Sequence, residues 1–185
     1  MTRIIGGEHK GRRLAVPAGA TRPTSSRVRE SMFNLINGWM ELVGASVLDL
    51  FAGSGALGLE ACSRGAASAC FVEKSRAAAR VAESNAQLLG VSARVLAVPA
   101  KTAVARPLPF APFDLVLADP PYDLDVSELN SILELLVGAG NVSASTVIVL
   151  EMSVGELGPS WPKGWEETEE RRYGGTVLRF GCAAR

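Results

Sequence analysis

Histidine and cysteine are scarce in this chain of 185 residues, and their scarcity removes several kinds of chemistry. His9 is the only histidine, which argues against a histidine-based triad or a histidine metal centre. Cys62, Cys70 and Cys182 have no metal-ligand spacing, and their odd number argues against a disulfide framework. All three sit among small or apolar residues, so free buried thiols are expected. No metal is expected. No apolar run approaches the length of a membrane span. The opening residues hold glycines and charges where a secretory signal would hold an apolar core, so a cytoplasmic protein is expected. Repeats and low-complexity tracts are absent too. Apolar residues are plentiful, at 48%, enough for one domain to bury a sizeable core.

Net charge is zero, but the zero conceals an asymmetry. Residues 1–30 carry Arg3, Lys10, Arg12, Arg13, Arg22, Arg27 and Arg29 against Glu8 and Glu30, a net +5. The remainder carries 12 basic and 17 acidic groups, a net −5. A basic opening on an acidic body points to a localised polyanion contact, with a solvated basic extension as the plain alternative.

Two short segments, 3–7 and 12–16, joined by a glycine-containing link, predict a β-hairpin. A helix is expected from about Ser26, with Ser26 as its N-cap. Val28, Met32, Leu35, Ile36, Trp39, Met40 and Val43 form its apolar stripe, and Phe33, off the stripe, is expected to face a ligand. Strands are expected at 46–51, 68–73, 93–98, 113–119 and 145–152. They alternate with helices at 56–64, 75–89 (ended by Gly90) and 125–137. Segments 165–173 and 176–182 read as a closing antiparallel pair around Gly174-Gly175. The expected fold class is therefore α/β: a Rossmann-like, doubly wound, mostly parallel seven-stranded sheet with a C-terminal antiparallel pair, plus a small N-terminal β-hairpin.

Asp119-Pro120-Pro121-Tyr122 carries the most chemical information. Neither proline has a backbone N–H to donate, so the strand before them must stop and turn. An acid, a rigid turn and an aromatic ring are left at its C-terminal end, the edge where open parallel sheets bind ligands. An ordinary strand-ending turn with Tyr122 as its lid is the plain alternative. The second motif runs from Leu48 to Gly58, joining the first sheet strand to a helix. Gly53 and Gly55 permit a tight turn and bare backbone, and Gly58 lets the helix pack closely. Glu73, at the end of the next strand, is placed to accept ribose hydroxyl hydrogens, unless it is a plain surface acid. The glycine spacing also satisfies the dinucleotide fingerprint. Asp49 beside the turn disfavours a pyrophosphate and suits a cationic, amine-bearing ligand, which favours S-adenosylmethionine over NAD. Asp49 has a structural alternative as well: accepting hydrogen bonds from the turn.

A planar amine has its nitrogen lone pair delocalised into the ring. Two acceptors aimed at its N–H bonds, the Asp119 carboxylate and the Pro120 carbonyl, would localise that lone pair. The prolines would hold both in place, and Tyr122 would stack on the base.

These motifs, with Arg3-Ile4-Ile5-Gly6-Gly7, Lys10-Gly11-Arg12-Arg13-Leu14 and Thr21-Arg22-Pro23-Thr24 through Asn34, carry a family resemblance that runs nearly end to end. The chain resembles class I S-adenosylmethionine-dependent methyltransferases, and within them the bacterial 16S rRNA guanine-N2 methyltransferases of the RsmD kind. The resemblance implies methyl transfer to N2 of one guanine, guanine 966 in standard rRNA numbering, within a partly assembled 30S subunit. It implies a catalytic set of Asp119, Pro120, Pro121 and Tyr122. The implied cofactor set is Asp49, Phe51, Ala52, Gly53, Ser54, Gly55, Glu73, Lys74 and Ala100. RNA contacts would come from Arg3, Lys10, Arg12, Arg13, Arg22 and Arg27, on a hairpin extension of residues 1–20 and the start of a methyltransferase domain of 21–185. A monomer is expected. Two departures stand out: no acid follows the third strand, where 98–102 reads Val-Pro-Ala-Lys-Thr, and Ser26 replaces a common Asp. The same catalytic turn also suits adenine N6 in DNA or a protein glutamine. An NAD oxidoreductase would leave that turn without a role, and a non-catalytic RNA-binding assembly factor would leave both motifs without one.

Overall fold

A computed structural model describes residues 2–18 and 25–184. In chain order the elements are β1 (Thr2–Arg3), β2 (Arg13–Leu14), α1 (Ser26–Trp39), β3 (Ser46–Leu50), α2 (Ala56–Ser63), β4 (Ser68–Val72), α3 (Arg76–Leu89), β5 (Ala93–Leu96), α4 (Ala100–Val104), β6 (Phe113–Ala118), α5 (Val126–Gly138), β7 (Val142–Ser153), β8 (Trp165–Tyr173) and β9 (Thr176–Ala183). β1 and β2 form the expected antiparallel hairpin. The other strands form one sheet in the order β5-β4-β3-β6-β7-β9-β8. β5 through β7 run parallel, and β9 and β8 close the sheet antiparallel. After β3 the chain builds outward to one side through β4 and β5, then returns to the other side with β6. The C-terminal ends of β3 and β6 therefore flank the topological switch point.

The central strands are apolar on both faces, as parallel strands covered by helices must be. Val47, Phe71, Leu115, Leu117 and Val149 pack under α1, α2 and α3. Leu48, Leu50, Val116, Ala118 and Ile148 pack under α4 and α5. Gly58 sits where α2 crosses β3 and β4: a Cβ there would lie 2.5 Å from Phe71 Cε1 and 3.2 Å from Asp49 Cβ. The expected close packing is thus observed. Ser75 and Asp125 cap α3 and α5, and Gly90 ends α3 at φ 66°.

Several expectations about α1 are corrected. Its N-cap is Ser25, whose hydroxyl accepts from Val28 N at 3.2 Å, and Ser26 is the first helical residue. The helix ends at Trp39, so Val43 lies beyond it and is exposed. Trp39 is partly exposed, stacking on Phe180 and donating from Nε1 to Glu169 at 2.9 Å. Phe33 does not face a ligand: it is fully buried in the core, with the Arg64 guanidinium 5.0 Å over its ring. Of the three free thiols, only Cys70 is fully buried, while Cys62 and Cys182 are half-buried. Burial pushes the Cys62 and Cys70 thiols up to about 12.

The hairpin is tied to the body through Glu60 on α2, which is fully buried. Its carboxylate accepts from Ile5 N and Gly6 N, each at 2.8 Å, and from Arg64 Nε at 2.9 Å. Arg29 Nε lies 3.7 Å from the same group. Arg29 is 1% exposed and donates from Nη2 to Arg3 O at 2.6 Å and to Thr2 Oγ1 at 3.2 Å. Arg29 therefore drops out of the basic surface inferred from charge counting. The far edge of the sheet, β8, carries Glu166, Glu167, Glu169, Glu170, Arg171 and Arg172, with a register shift between Glu167 and Glu169. Among the described residues no helix is long and apolar enough to cross a membrane.

Candidate active site

β3 and β6 deliver the two motifs to one cavity of 740 Å³, within the range of small-molecule sites. Asp49, Phe51, Ala52, Gly53, Ser54, Glu73, Lys74 and Ala100 line it, as do Asp119, Pro120, Pro121 and Tyr122. Gly55 is not part of the wall. It is the N-cap residue of α2 at φ 78°, and its N–H donates to Ala52 O at 2.7 Å, tightening the turn behind the wall. Phe51, at the end of β3, takes φ 62°, an uncommon conformation for an aromatic residue. Gly53 follows at φ 55°, with open space where a Cβ would project.

Two carboxylates hold this loop in shape. Glu73 Oε2 accepts from Gly53 N at 2.9 Å, and Oε1 accepts from Ser75 N at 2.8 Å. Each oxygen has a second lone pair, so Glu73 can brace the loop and still receive hydroxyl hydrogens. Asp49 is 1% exposed, and its Oδ2 accepts from Gly58 N at 2.8 Å. The structural reading of Asp49 is seen directly, since its side chain ties down the turn, and the same side chain also lines the cavity. Burial pushes its carboxyl up to about 7, the Gly58 N–H opposes that, and the charges of Asp119 and Glu73 add to it. Five acidic residues, Asp49, Glu73, Asp119, Asp123 and Glu128, line the cavity against Arg29 and Lys74, an acidic excess that favours a cationic or hydroxyl-bearing guest over a pyrophosphate.

Opposite the loop, β6 stops at Ala118 and the prolines redirect the chain. The turn closes with Leu124 N donating to Pro121 O at 2.9 Å. Among the described residues no backbone N–H donates to the Pro120 carbonyl, which leaves it available as an acceptor. Tyr122 is 70% exposed at the mouth, so a planar ring can reach its face. Arg3, Lys10, Arg12 and Arg13 are exposed on the hairpin and Arg27 on α1; none of them lines the cavity. Arg22 lies outside the described residues. Sequence reasoning missed Val16, Pro17, Ala18, Arg29, Glu128 and Ile132, all of which line the cavity. The first three had no signal, because they reach the wall only through the docking of the hairpin. Glu128 and Ile132 sit four apart on α5, and that spacing was the one cue available. Among the described residues no cluster of His, Cys, Asp and Glu could hold a metal ion.

A mostly parallel, doubly wound seven-stranded sheet closed by an antiparallel pair is the fold of the class I methyltransferases. The ribosomal protein L11 methylase of Lactobacillus delbrueckii subsp. bulgaricus shares it at 16% identity, with a TM-score of 0.66 over 92% of this chain and 84% of the other. The solved structure of yhhF from Escherichia coli is 34% identical, with a TM-score of 0.85 over 99% of this chain and 98% of the other. Residues 2–182 match the family described as conserved hypothetical protein 95. Over 182 residues, 96% of this chain and 88% of its relative, the sequence is 38% identical to ribosomal RNA small subunit methyltransferase D of Escherichia coli strain K12. The chain belongs to that methyltransferase family.

Proposed function

We propose that this chain transfers a methyl group from S-adenosylmethionine to the exocyclic N2 of one guanine, of the guanine 966 type, in 16S rRNA. The carrying observation is that the Asp119–Tyr122 turn and the glycine loop open onto one cavity. The named Escherichia coli relative supports the coarser reading, an S-adenosylmethionine-dependent rRNA methyltransferase. The residues present fit that cofactor. Asp49 offers a carboxylate to a cationic amine, Glu73 keeps lone pairs for ribose hydroxyls, and Gly53 leaves bare backbone beside them. Lys74 and Ala100 complete this side of the wall; no acid follows β5, so adenine would be met by backbone and small side chains near Ala100. When bound, S-adenosylmethionine supplies an electrophilic methyl carbon.

The protein's own part is to hold the amine. The Asp119 carboxylate accepts one N–H hydrogen bond and the Pro120 carbonyl a second, which disfavours the planar, conjugated nitrogen. Pro120 and Pro121 fix both acceptors before the base arrives. Tyr122 stacks on the base, a contact worth about 1–3 kcal/mol. One N–H becomes N–CH3, the displaced proton leaves through the open mouth, and S-adenosylhomocysteine remains. The guanine must leave its stack to enter, at a cost of about a few kcal/mol. Arg3, Lys10, Arg12, Arg13 and Arg27, with Arg22, grip phosphates of a partly assembled 30S particle, positioning the RNA without specifying it. The chain acts as a monomer in the cytoplasm, without a metal.

The test is methylation of immature 30S particles from cells lacking this modification, with the product mapped by mass spectrometry of the 16S rRNA. A single N2-methylguanine is expected. Methylation of duplex DNA or a glutamine peptide in preference to the particle would refute the assignment.

Asp49 makes cofactor binding pH-dependent. With its carboxyl at about 7 in the free protein, Asp49 is mostly protonated at pH 6. A cationic amine favours the ionised form, so binding expels a proton in this range. Affinity is expected to rise with pH up to about 7, by at most about tenfold per unit, and to level off above it. Calorimetry between pH 5.5 and 8.5 in buffers of differing ionisation heat reads both effects, and Asp49→Asn should flatten the profile.

A further inference from the structure

The segment that leaves the hairpin does more than connect. Val16, Pro17 and Ala18 form part of the cavity wall, facing the same space as the glycine loop. The residue before them is held by one side chain from across the fold. Asn85, on α3 and 2% exposed, accepts from Ala15 N through Oδ1 at 2.9 Å and donates through Nδ2 to Ala15 O at 3.0 Å. The same Nδ2 donates to Ser54 O at 2.9 Å, inside the glycine loop. One buried amide therefore joins the basic hairpin to the cofactor loop, and it uses its acceptor and both of its donor hydrogens to do so.

Resting on the proposed function, we infer that Asn85 is a positioning residue that makes the hairpin exit and the glycine loop one wall, so that RNA held by the hairpin tightens cofactor binding. Gripping RNA at Arg3, Lys10, Arg12 and Arg13 restrains residues 15–18 at their hairpin end. Asn85 passes that restraint to Ser54. The ordering of the wall is then shared between the two ligands, so each binds better when the other is present. The other hairpin anchors run through Arg29 on α1 and through Glu60 and Ser63 on α2.

The experiment is equilibrium dialysis of labelled S-adenosylhomocysteine against the full chain, with and without saturating immature 30S particles. The wild-type chain is expected to bind the nucleoside about tenfold tighter with particles present. Asn85→Ala should reduce that factor to under about twofold. Asn85→Asp keeps the acceptor for Ala15 N and loses both donors, so it should lose most of the factor while better preserving the fold. Melting temperatures identify a variant that has simply unfolded. A purely structural role would weaken binding equally in both arms and leave the ratio intact, which would overturn the inference. Wild-type chain that binds both ligands independently would also overturn it, leaving the methyltransferase reading in place. Failure to bind S-adenosylhomocysteine at all would bring down both.

Discussion

Asp119→Ala is expected to lower methyl transfer to immature 30S particles about 100- to 1,000-fold, the range seen when a preorganised polar group is taken from a transition state. Affinity for S-adenosylhomocysteine should stay within about threefold, because Asp49 and Glu73, which accept from Gly58 N and Gly53 N and so brace the glycine loop, are left in place. The two measurements separate two roles for the same carboxylate. If turnover and cofactor affinity fell together, Asp119 would be a cofactor residue and the amine-holding role would be wrong. Asp119→Asn sharpens the test. It keeps the size of the side chain and an acceptor oxygen but removes the negative charge, so its loss of turnover should fall between native and alanine and measure what the charge contributes. A further effect is predicted by the electrostatics. Asp119 helps hold the Asp49 carboxyl up near 7, so removing its charge should shift the pH midpoint of cofactor binding downward.

Glu60→Ala is expected to be the most destabilising single change. It strips the partner from buried Arg29 and from Arg64, and leaves Ile5 N and Gly6 N without their acceptor. Removing one member of a buried charge pair costs about 3–5 kcal/mol. In a chain of this size that corresponds to a fall in melting temperature of about 10 °C. Arg29 Nε already lacks a hydrogen-bond partner, and burial already lowers the Arg29 pKa against the pull of Glu60 and Glu151, so losing Glu60 removes the first of the two carboxylates that offset its burial. The loss should be felt first at the hairpin. Protease cleavage within residues 2–18 and weakened particle binding are expected before global unfolding. Thermal unfolding followed by circular dichroism, with limited proteolysis alongside, checks both. A melting temperature within about 2 °C of the native chain would show that the hairpin is held by other means.

The parts of this molecule that were readable in advance are those whose cause is local. Two prolines end β6 wherever they occur. Gly58 announces a close crossing, and the alternation of apolar runs with helical stripes dictates a doubly wound sheet. The shared cavity of the two motifs follows from the same logic, since both close strands at one edge of that sheet. What escaped is set by contacts between residues far apart in the chain. Glu60 sits on a short helix with the spelling of a surface acid, and only the docked hairpin makes it a buried hub. Arg29 carries the same charge as its neighbours Arg27 and Arg22, so counting charges could not show that it turns inward. Phe33 falls off a stripe drawn for one packing partner, but α1 is covered on a wider arc, and Arg64 closes over the ring. Asn85 reads as a polar residue in an alanine-rich helix, with no clue to the two loops it joins. α4 went unseen because five residues are too few to display a helical period.

β8 has one more consequence for how the chain lives among others. Its outer side is an open ladder of backbone groups, the feature that recruits stray strands into ever-growing stacks. An acidic run followed by two arginines on β8, paired as Arg171–Glu169 and Arg172–Glu170 and tied to β9 by Arg179–Glu167, together with the kink after Glu167, makes that ladder an unattractive template. Any newcomer would have to strip water from ions that are already paired. The chain can then brush past unpaired strands of other proteins without being caught by them.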